Sequence, residues 1–359
     1  MNEKSKKIFI IVLFVLLLLP MTCILGIKER THIYGAETIT SLPSLQNTSF
    51  KKREFQTQFE SWWNSHFGFR KFMLKMKNTI YDFANFRVIH AGYYENIIEG
   101  KNRYLFGKYI FQSVYKNCFK VPYDKLQKLK DFNNKAKRKG IRVYLVFAPS
   151  KALTYYDYLP LRYKYFLGKN CHVYENMSYE ISKLGIPVYN SQPLMEKLRD
   201  ESKIQPFPIG GIHWNLYGGG MAVKESFKQF GIGNIKFVGI EESRHPYLAD
   251  QDLTELQNMF FRKRNDRRFY KSVLKGNFKL SGTTYVIGDS YSNQYFIPLV
   301  DAGIAKAGTI IHYENQPLNT DDVNRIKSDA KRIIFVYTDD IVDPNHQFWK
   351  KIDALLENM

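Results

Sequence analysis

One serine of this chain stands where catalytic nucleophiles often lie, directly after a strand. The β-branched and aromatic residues Thr284–Ile287 in TTYVIGDSYSNQY predict a buried strand, and a helix is predicted to begin near Tyr291. Ser290 then lies on a strand-to-helix turn, where the positive dipole end and the N–H groups of the helix could stabilise an oxyanion. Ser290 is therefore a candidate nucleophile. The alternative is that Asp289 and Ser290 only cap the helix.

A serine hydroxyl needs a base, and His213 in IGGIHWNLYGGG is the best candidate. The flanking glycines allow the loop to approach another backbone closely, and Asn215 can cap the following helix. Trp214 could form a wall of the site or anchor the loop in the core. A structural role for a single histidine is equally compatible with the pattern, so the assignment as a base depends on Ser290.

The elements that must position these residues alternate between helix and strand. Strands are predicted at 141–148, 186–189, 284–287, 309–312 and 332–337, and helices at 123–139, 173–184, 192–200, 215–230 and 345–357. This alternation predicts an α/β fold with a mostly parallel sheet that has helices on both faces. In such folds ligands bind at the carboxyl ends of the strands, which is where Ser290 is expected.

The chain begins with lysines followed by the apolar run IFIIVLFVLLLLPMTCILGI. The run is long enough for one transmembrane helix, and the preceding Lys4, Lys6 and Lys7 favour a cytoplasmic N-terminus. Because no good cleavage site follows, an uncleaved anchor is preferred to a signal peptide. We predict a cytoplasmic stub and anchor at 1–27, a linker at 28–50 and an extracytoplasmic domain at 51–359. The domain is expected to begin with helices whose apolar stripe faces the core.

The composition is that of a folded globular protein, with 359 residues of which 44% are hydrophobic and 16% aromatic. A formal charge of +19 favours anionic partners such as an acidic polysaccharide, a wall polymer or lipid head groups, although it could serve solubility alone. Nucleic acid is not expected as a partner of an exported domain. Cys118 and Cys171 could pair or remain buried thiols, whereas Cys23 lies in the apolar run. The spacing of ligand-type residues predicts no metal and no cofactor.

The order of several short motifs resembles a known family. After the apolar anchor come GKNRYLF, FAPSKALTYYDYLP, GGIHWN, DLTEL and GDSYSNQ. Over Glu54 to Tyr337 this order is similar to the AlgX/AlgJ-type SGNH hydrolase-like domain, the periplasmic O-acetyltransferases of alginate and related exopolysaccharides. The histidine motif precedes the serine motif, as in the circularly permuted arrangement of that family.

The resemblance implies a bacterial cell-envelope enzyme that transfers acetyl in two steps through an acyl-enzyme. Ser290 takes the nucleophile's position, with its backbone N–H as part of the oxyanion site, and His213 takes the position of the base. It also implies a multi-pass membrane acyltransferase as the source of acetyl and an exopolysaccharide or cell-wall polymer as the acceptor.

This chain departs from the family at the residue that orients the histidine. The family motif reads Asp-x-His-Trp, and here Gly211 replaces the aspartate. Three outcomes remain open: a mechanism with two residues, a carboxylate supplied from elsewhere, or a domain that binds glycan without turnover. The alternative acids are Asp289, Asp250 and Asp252. Asp289 adjoins the serine and is a poor substitute, while Asp252 is more simply the N-cap of the DLTEL helix.

Further side chains could bind the substrate at the same edge of the sheet. Ser150 and Lys151 follow a predicted strand, and Lys151 could contact an acidic glycan or remain a solvated lysine. Tyr155 could stack on sugar rings or pack in the core, and Trp214 could contact the substrate as a wall of the site. The leading prediction is a membrane-anchored polysaccharide O-acetyltransferase. The alternatives are a glycan O-acetyl esterase, of the carbohydrate esterase class, and a glycan-binding subunit of an acetylation or export complex.

Overall fold

A computed structural model describes residues 2–18, 31–35, 40–44, 53–84, 88–91, 94–107, 121–167, 173–261, 266–276, 278, 280–306, 308–312 and 318–358. The chain divides into two compact units. The first consists of Met1–Ile97 with Thr254–Lys263, and the second of Ile98–Leu253 with Arg264–Met359. The three cysteines lie outside the described residues, so their pairing stays a prediction.

The first unit contains helices α1 (Glu3–Leu18), α2 (Glu54–His66) and α3 (Arg70–Phe83) and strand β1 (Val88–Ala91). Helix α1 covers the beginning of the predicted transmembrane segment, and residues 19–27 of that segment lie outside the described part. Among the helices that the structure describes, none has the length and apolar character needed to cross a bilayer.

The apolar stripe of α2 and α3 does not face a core, contrary to the sequence-based expectation. No residue of α2 is buried, and in α3 only Asn78 is. Helical spacing therefore predicted the two helices correctly. It did not predict how far their apolar sides are buried, because periodicity shows that a helix has an apolar face but not what packs against that face. The Asn78 side chain donates to the Gln257 carbonyl oxygen at 2.9 Å, within the same unit.

The second unit is built on alternating strands and helices. Its strands are β3 (Leu105–Gly107), β4 (Arg142–Phe147), β5 (Val188–Asn190), β6 (Ile235–Ser243), β7 (Phe269–Gly276), β8 (Thr283–Gly288), β9 (Ile310–His312) and β10 (Ala330–Tyr337), and β2 (Tyr94–Glu99) spans the boundary between the units. Its helices are α4 (Tyr123–Arg138), α5 (Lys151–Thr154), α6 (Leu161–Leu167), α7 (Val173–Ser182), α8 (Gln192–Glu201), α9 (Leu216–Gln229), α11 (Ser292–Asp301), α12 (Thr320–Asp329) and α13 (Gln347–Asn358). Helix α10 (Asp252–Leu256) begins in this unit and also crosses the boundary.

The main sheet has five strands in the order β5-β4-β10-β8-β9, and all of its pairs are parallel. In β10, for example, Phe335 is aligned with Leu145 on one side and with Ile287 on the other. Residues 143–147 of β4 and 332–337 of β10 are buried without alternation, as in strands covered on both faces. The predicted α/β class and parallel sheet are confirmed.

Two smaller features complete the second unit. The chain reverses at Gly100, whose N–H donates to the Tyr104 carbonyl oxygen at 2.8 Å. Strands β6 and β7 form an antiparallel pair that the sequence did not predict. Its strand β6 exposes most of its residues, so the alternation of buried and exposed positions that marks a strand is weak there.

The glycines of α9 allow this helix to lie close to its neighbours α11 and β7. A Cβ at Gly219 would collide with the backbone carbonyl of Gln294, and one at Gly220 with the side chain of Ser272. Asn215 caps the helix, because its side chain accepts the Gly218 N–H at 2.8 Å, as predicted. The close approach fixes the start of α9 against α11, the helix that follows Ser290.

Candidate active site

The turn after β8 holds Ser290 half-buried between the strand and α11. Asp289 organises this turn: its Oδ1 accepts the Tyr291 N–H at 2.9 Å, and its Oδ2 accepts the N–H and the hydroxyl of Thr338 at 2.8 and 3.0 Å. Burial raises the pKa of Asp289 to about 6. The carboxylate therefore ties the turn to the residue after β10, and it is not the acid that pairs with His213.

Tyr291 joins the turn that carries Ser290, the serine turn, to the loop of residues 208–214 that carries His213, the histidine loop. Its hydroxyl donates to the Ile212 carbonyl oxygen at 2.9 Å, and its own carbonyl oxygen accepts from Nε1 of Trp214 at 2.9 Å. Its ring centroid lies 4.7 Å from that of His213. The residue after Ser290 thus contacts three consecutive residues of the loop, and the structure brings the segments of the two predicted residues together.

The carboxylate on His213 comes from Asp252. Asp252 Oδ2 lies 3.0 Å from His213 Nδ1, and Oδ1 accepts the Ile212 N–H at 2.9 Å and the Leu253 N–H at 2.6 Å. When Nδ1–H donates to the carboxylate, Nε2 is left as the acceptor nitrogen of the imidazole. Only 13% of the His213 side chain and 25% of the Asp252 side chain are exposed, so the pair is partly shielded from solvent.

Gly211 has no room for the aspartate of the family motif. A Cβ there would lie 2.7 Å from Cγ of Pro208 and 2.8 Å from the carbonyl oxygens of Ala249 and Asp250. The family motif has an acid two residues before His213, and this sequence lacks it. The carboxylate that contacts His213 comes instead from Asp252, 39 residues after the histidine. Of the three alternatives left open by the sequence, the geometry favours a carboxylate supplied from elsewhere.

Asp250, the remaining alternative acid, is buried near this site, but its side chain accepts a hydrogen bond from its own loop. Its Oδ2 accepts the Tyr247 N–H at 3.2 Å, and burial raises its pKa to about 8. The neutral form therefore predominates at neutral pH. Asp250 forms part of the packing around Gly211, while Asp252 occupies the position beside the imidazole.

The four residues predicted to bind substrate are all buried, which agrees with the core alternative for Trp214 and Tyr155 and corrects the expectation for Ser150 and Lys151. Trp214 and Tyr155 have no exposed surface, and Ser150 and Lys151 are each 1% exposed. Ser150 caps α5 by accepting the Leu153 N–H at 3.4 Å. The Tyr155 hydroxyl donates to Gln205 at 2.8 Å. These side chains are packed and hydrogen-bonded in the interior and do not form a sugar-binding surface.

Lys151 holds the loop before His213. Its ammonium donates to the carbonyl oxygens of Pro208, Ile209 and Gly211 at 2.6, 2.9 and 2.7 Å. Burial lowers the pKa of Lys151 to about 7, against the effect of the neighbouring carboxylates, but three acceptors match the three donors of the charged form. All three N–H groups are directed to the backbone, which leaves none for a glycan.

Asp266 binds the same loop and was missed in the sequence. Its carboxylate accepts the N–H groups of Ile209 and Gly210 at 3.1 and 2.8 Å, and burial raises its pKa. It stands alone in the basic run RKRNDRR, where a single acid looks like a solvated surface charge. No local pattern could have identified it, because its partners lie 56 and 57 residues earlier.

Fold and site together define an α/β protein in which the turn that carries Ser290, after a strand of a parallel sheet, contacts through Tyr291 the loop that carries His213, and Asp252 contacts His213. No family model matches the chain, and no curated protein matches its sequence. Among solved structures it is similar to Pseudomonas aeruginosa AlgX, with a TM-score of 0.51 and 15% identity over 74% of this chain and 67% of that one. The likeness confirms at the level of fold the resemblance drawn from the motifs.

Two further structures are similar at lower scores. The O-acetyltransferase domain of Pseudomonas putida AlgJ has a TM-score of 0.48 and 14% identity, covering 73% of this chain and 99% of that one. Bacillus cereus PatB1 has a TM-score of 0.41 and 12% identity, covering 65% of this chain and 91% of that one.

Proposed function

We propose that this protein is an O-acetyltransferase that carries acetyl on Ser290 and transfers it to hydroxyl groups of an exported polysaccharide or cell-wall polymer. The observation that carries the proposal is the contact between His213 and Asp252 beside Tyr291, the residue after the serine. Serine, histidine and carboxylate are the set that activates a hydroxyl for acyl transfer. Acetyl as the group, and polysaccharide as the acceptor, are supported by the order of motifs shared with the AlgX/AlgJ type.

The first half of the reaction loads the serine. The Ser290 hydroxyl passes its proton to Nε2 of His213 as its oxygen attacks the carbonyl carbon of the acetyl donor. Asp252 holds the imidazole through Nδ1–H and stabilises the imidazolium. The tetrahedral oxyanion lies at the N-terminal end of α11, where the helix dipole is positive. The donor's leaving group then takes the proton from Nε2, and acetyl-serine remains.

The second half repeats the chemistry with a sugar hydroxyl in place of the serine. The hydroxyl gives its proton to Nε2 of His213 and attacks the acetyl carbon. The tetrahedral intermediate collapses to the acetylated sugar, and the proton returns to Ser290. Water entering in place of the sugar would release acetate, so exclusion of water separates a transferase from an esterase.

Anchoring in a bacterial membrane, with residues 51–359 on the outer side, is part of the proposal. It is supported by the lysines and apolar residues of the first 27 positions. The acetyl donor would then be supplied by a multi-pass membrane acyltransferase. The test is fractionation of cells: the full chain should remain with membranes after an alkaline carbonate wash, and recovery in the wash would contradict anchoring.

The test of acetyl transfer is mass measurement of the protein after incubation with an activated aryl acetate. One acetyl group should appear on the peptide that contains Ser290, and Ser290→Ala should abolish it. Ser292→Ala is the matched control, since Ser292 is two residues away and its hydroxyl donates to the Asp289 carbonyl oxygen at 2.6 Å. An acetyl group that persists in Ser290→Ala would reject Ser290 as the nucleophile.

Adding an acceptor glycan distinguishes the candidate activities. A transferase loses its acetyl label to the glycan, whereas an esterase releases acetate at the same rate with or without glycan. A glycan-binding subunit acquires no label and holds glycan equally well after Ser290→Ala. The glycan-binding reading was motivated by the missing acid at Gly211 and by the high basic charge, and the contact of Asp252 with His213 bears against the first of these reasons only.

A further inference from the structure

The loop from Pro208 to Ile212 is held by charged side chains at nearly every peptide group. Lys151 binds the carbonyl oxygens of residues 208, 209 and 211. Carboxylates bind the intervening N–H groups: Asp266 those of residues 209 and 210, and Asp252 that of residue 212. An irregular loop has no ladder of its own, so these contacts fix its conformation together with two others: the Leu105 N–H donates to the Ile209 carbonyl oxygen at 3.0 Å, and the Tyr291 hydroxyl to that of Ile212 at 2.9 Å.

The position of Lys151 is costly and therefore specific. A buried ammonium is tolerated only when it is paired and hydrogen-bonded. Here its donors are filled by the loop, and its charge lies 5.1 and 5.5 Å from the ring centroids of Tyr104 and Phe106. The carboxylates of Asp266 and Asp252 favour the same charge. The aromatic rings and carboxylates around Lys151 thus fix the position of its ammonium group, and the ammonium group in turn holds the loop.

The constraint reaches the imidazole through one carboxylate. Ile212, the last residue of the held loop, donates its N–H to Oδ1 of Asp252, while Oδ2 of the same group lies on Nδ1 of His213. A shift of the loop backbone therefore moves both the histidine and the carboxylate that orients it. Misplacement of a catalytic group by about 1 Å can lower a rate about a hundredfold.

We propose that Lys151 is a positioning residue for His213: with Asp266 it fixes the backbone of residues 208–212 and so sets the orientation of the imidazole toward Ser290. The inference rests on the proposed function for its kinetic consequence. Lys151 itself touches no reacting atom. It acts only through the backbone carbonyl oxygens that it holds.

The test replaces Lys151 by arginine in the full chain. Arginine keeps the charge, but its planar fork cannot direct three donors from one point to three carbonyl oxygens. We expect kcat for acetyl transfer from an aryl acetate to fall about a hundredfold, with KM changed less than about threefold. The matched control is Lys128→Arg, since Lys128 is a surface lysine bonded to Asp353 at 2.7 Å. It should leave both constants unchanged.

A second measurement does not depend on activity. In protein with ¹⁵N-labelled histidine, the Nδ1–H proton of His213 reports its bond to Asp252, and its resonance is assigned by its loss in His213→Gln. We expect the resonance to shift in Lys151→Arg and to stay in place in Lys128→Arg. If Lys151→Arg does not fold, Asp266→Asn tests the same constraint, because an amide can accept only one of the two N–H groups.

The two readouts separate the inference from the proposed function. A shifted His213 resonance supports positioning by Lys151 even if Ser290 proves not to carry acetyl. A folded Lys151→Arg or Asp266→Asn protein with the wild-type resonance would overturn the inference, whatever the activity.

Discussion

The turn that carries Ser290 and the loop that carries His213 meet at Tyr291, but they are stabilised in different ways. The serine turn is a junction between a central strand and a helix, and its carboxylate, Asp289, binds the residue after the neighbouring strand. The histidine loop belongs to no sheet. It is held by Lys151, Asp252 and Asp266, which lie 40 to 60 residues in sequence from the loop residues that they bind.

The difference shows that a catalytic residue can be placed by topology or by individual polar contacts. Parallel strands bring their carboxyl ends to one edge, so any sequence that forms this sheet places the serine there. The histidine, by contrast, is held at that edge by hydrogen bonds that Lys151, Asp252 and Asp266 form with the backbone of its loop. Replacing the carboxylate that holds each region should therefore lower activity at the loop, through Asp252, and stability at the turn, through Asp289.

The largest effect should follow removal of either reacting group. We expect Ser290→Ala and His213→Gln each to lower kcat for acetyl transfer by about 10⁶, and the double variant to lower it no further, because the two residues act as one unit. Single-turnover kinetics with an aryl acetate measure the three rates. Losses that multiply in the double variant would show that the turn and the loop act separately.

Asp252→Asn should have the next largest effect, a fall in kcat of about 10⁴, since the amide stabilises the wrong tautomer and cannot balance the imidazolium charge. Asp250→Asn is the matched control. Burial raises the pKa of Asp250 to about 8, so at neutral pH the substitution replaces one neutral group by another. Its rate should stay within about threefold of the wild type, whereas equal losses for both variants would remove Asp252 from its assigned role.

Gly211→Ala should reduce the free energy of unfolding by about 3 kcal/mol, because the added methyl group collides with the Pro208 ring and two carbonyl oxygens. Gly239→Ala is the control, as a Cβ there meets nothing within 4 Å. Denaturant unfolding measures both. The larger Gly211→Asp should lose stability too and gain no activity. A gain would mean that the loop can accommodate the acid of the family motif after all.

Asp289→Asn should have the smallest of these effects, about 2 kcal/mol of unfolding free energy, because the amide nitrogen would face one of the N–H groups that the carboxylate accepts. Asp157→Asn, at a side chain that is 79% exposed, should change stability little. The denaturant midpoints of the two variants provide the comparison. A loss of activity in Asp289→Asn without a loss of stability would assign the aspartate to catalysis.

The sequence predicted the parts of the molecule that follow from local pattern. The strand predicted at 284–287 is Thr283–Gly288, the helix predicted at 215–230 is Leu216–Gln229, and Asn215 caps it. Apolar runs, caps and glycines act over a few residues, so a single sequence contains them in full. The serine turn belongs to this class.

The contacts of the histidine loop could not be predicted in the same way. Lysine is rarely buried, so the sequence predicted an exposed position for Lys151, which is in fact buried. A loop tyrosine can face either solvent or core, so for Tyr155 both alternatives stayed open. Asp252 was recognised only as an alternative acid. Its contact with His213 depends on the path of the chain between residues 213 and 252, which includes the unpredicted strand β6.

The close approach of Gly219 in α9 to the backbone of α11 restricts how these two helices can move against each other. With the backbone of Gly219 against that of Gln294, the two helices interlock, and sliding or hinging of one against the other would force main-chain atoms together. Ser290 and His213 each stand just before one of these helices, so their spacing is preset before any ligand arrives. In the proposed function, acceptors of different shape would therefore be accommodated by residues outside this pair.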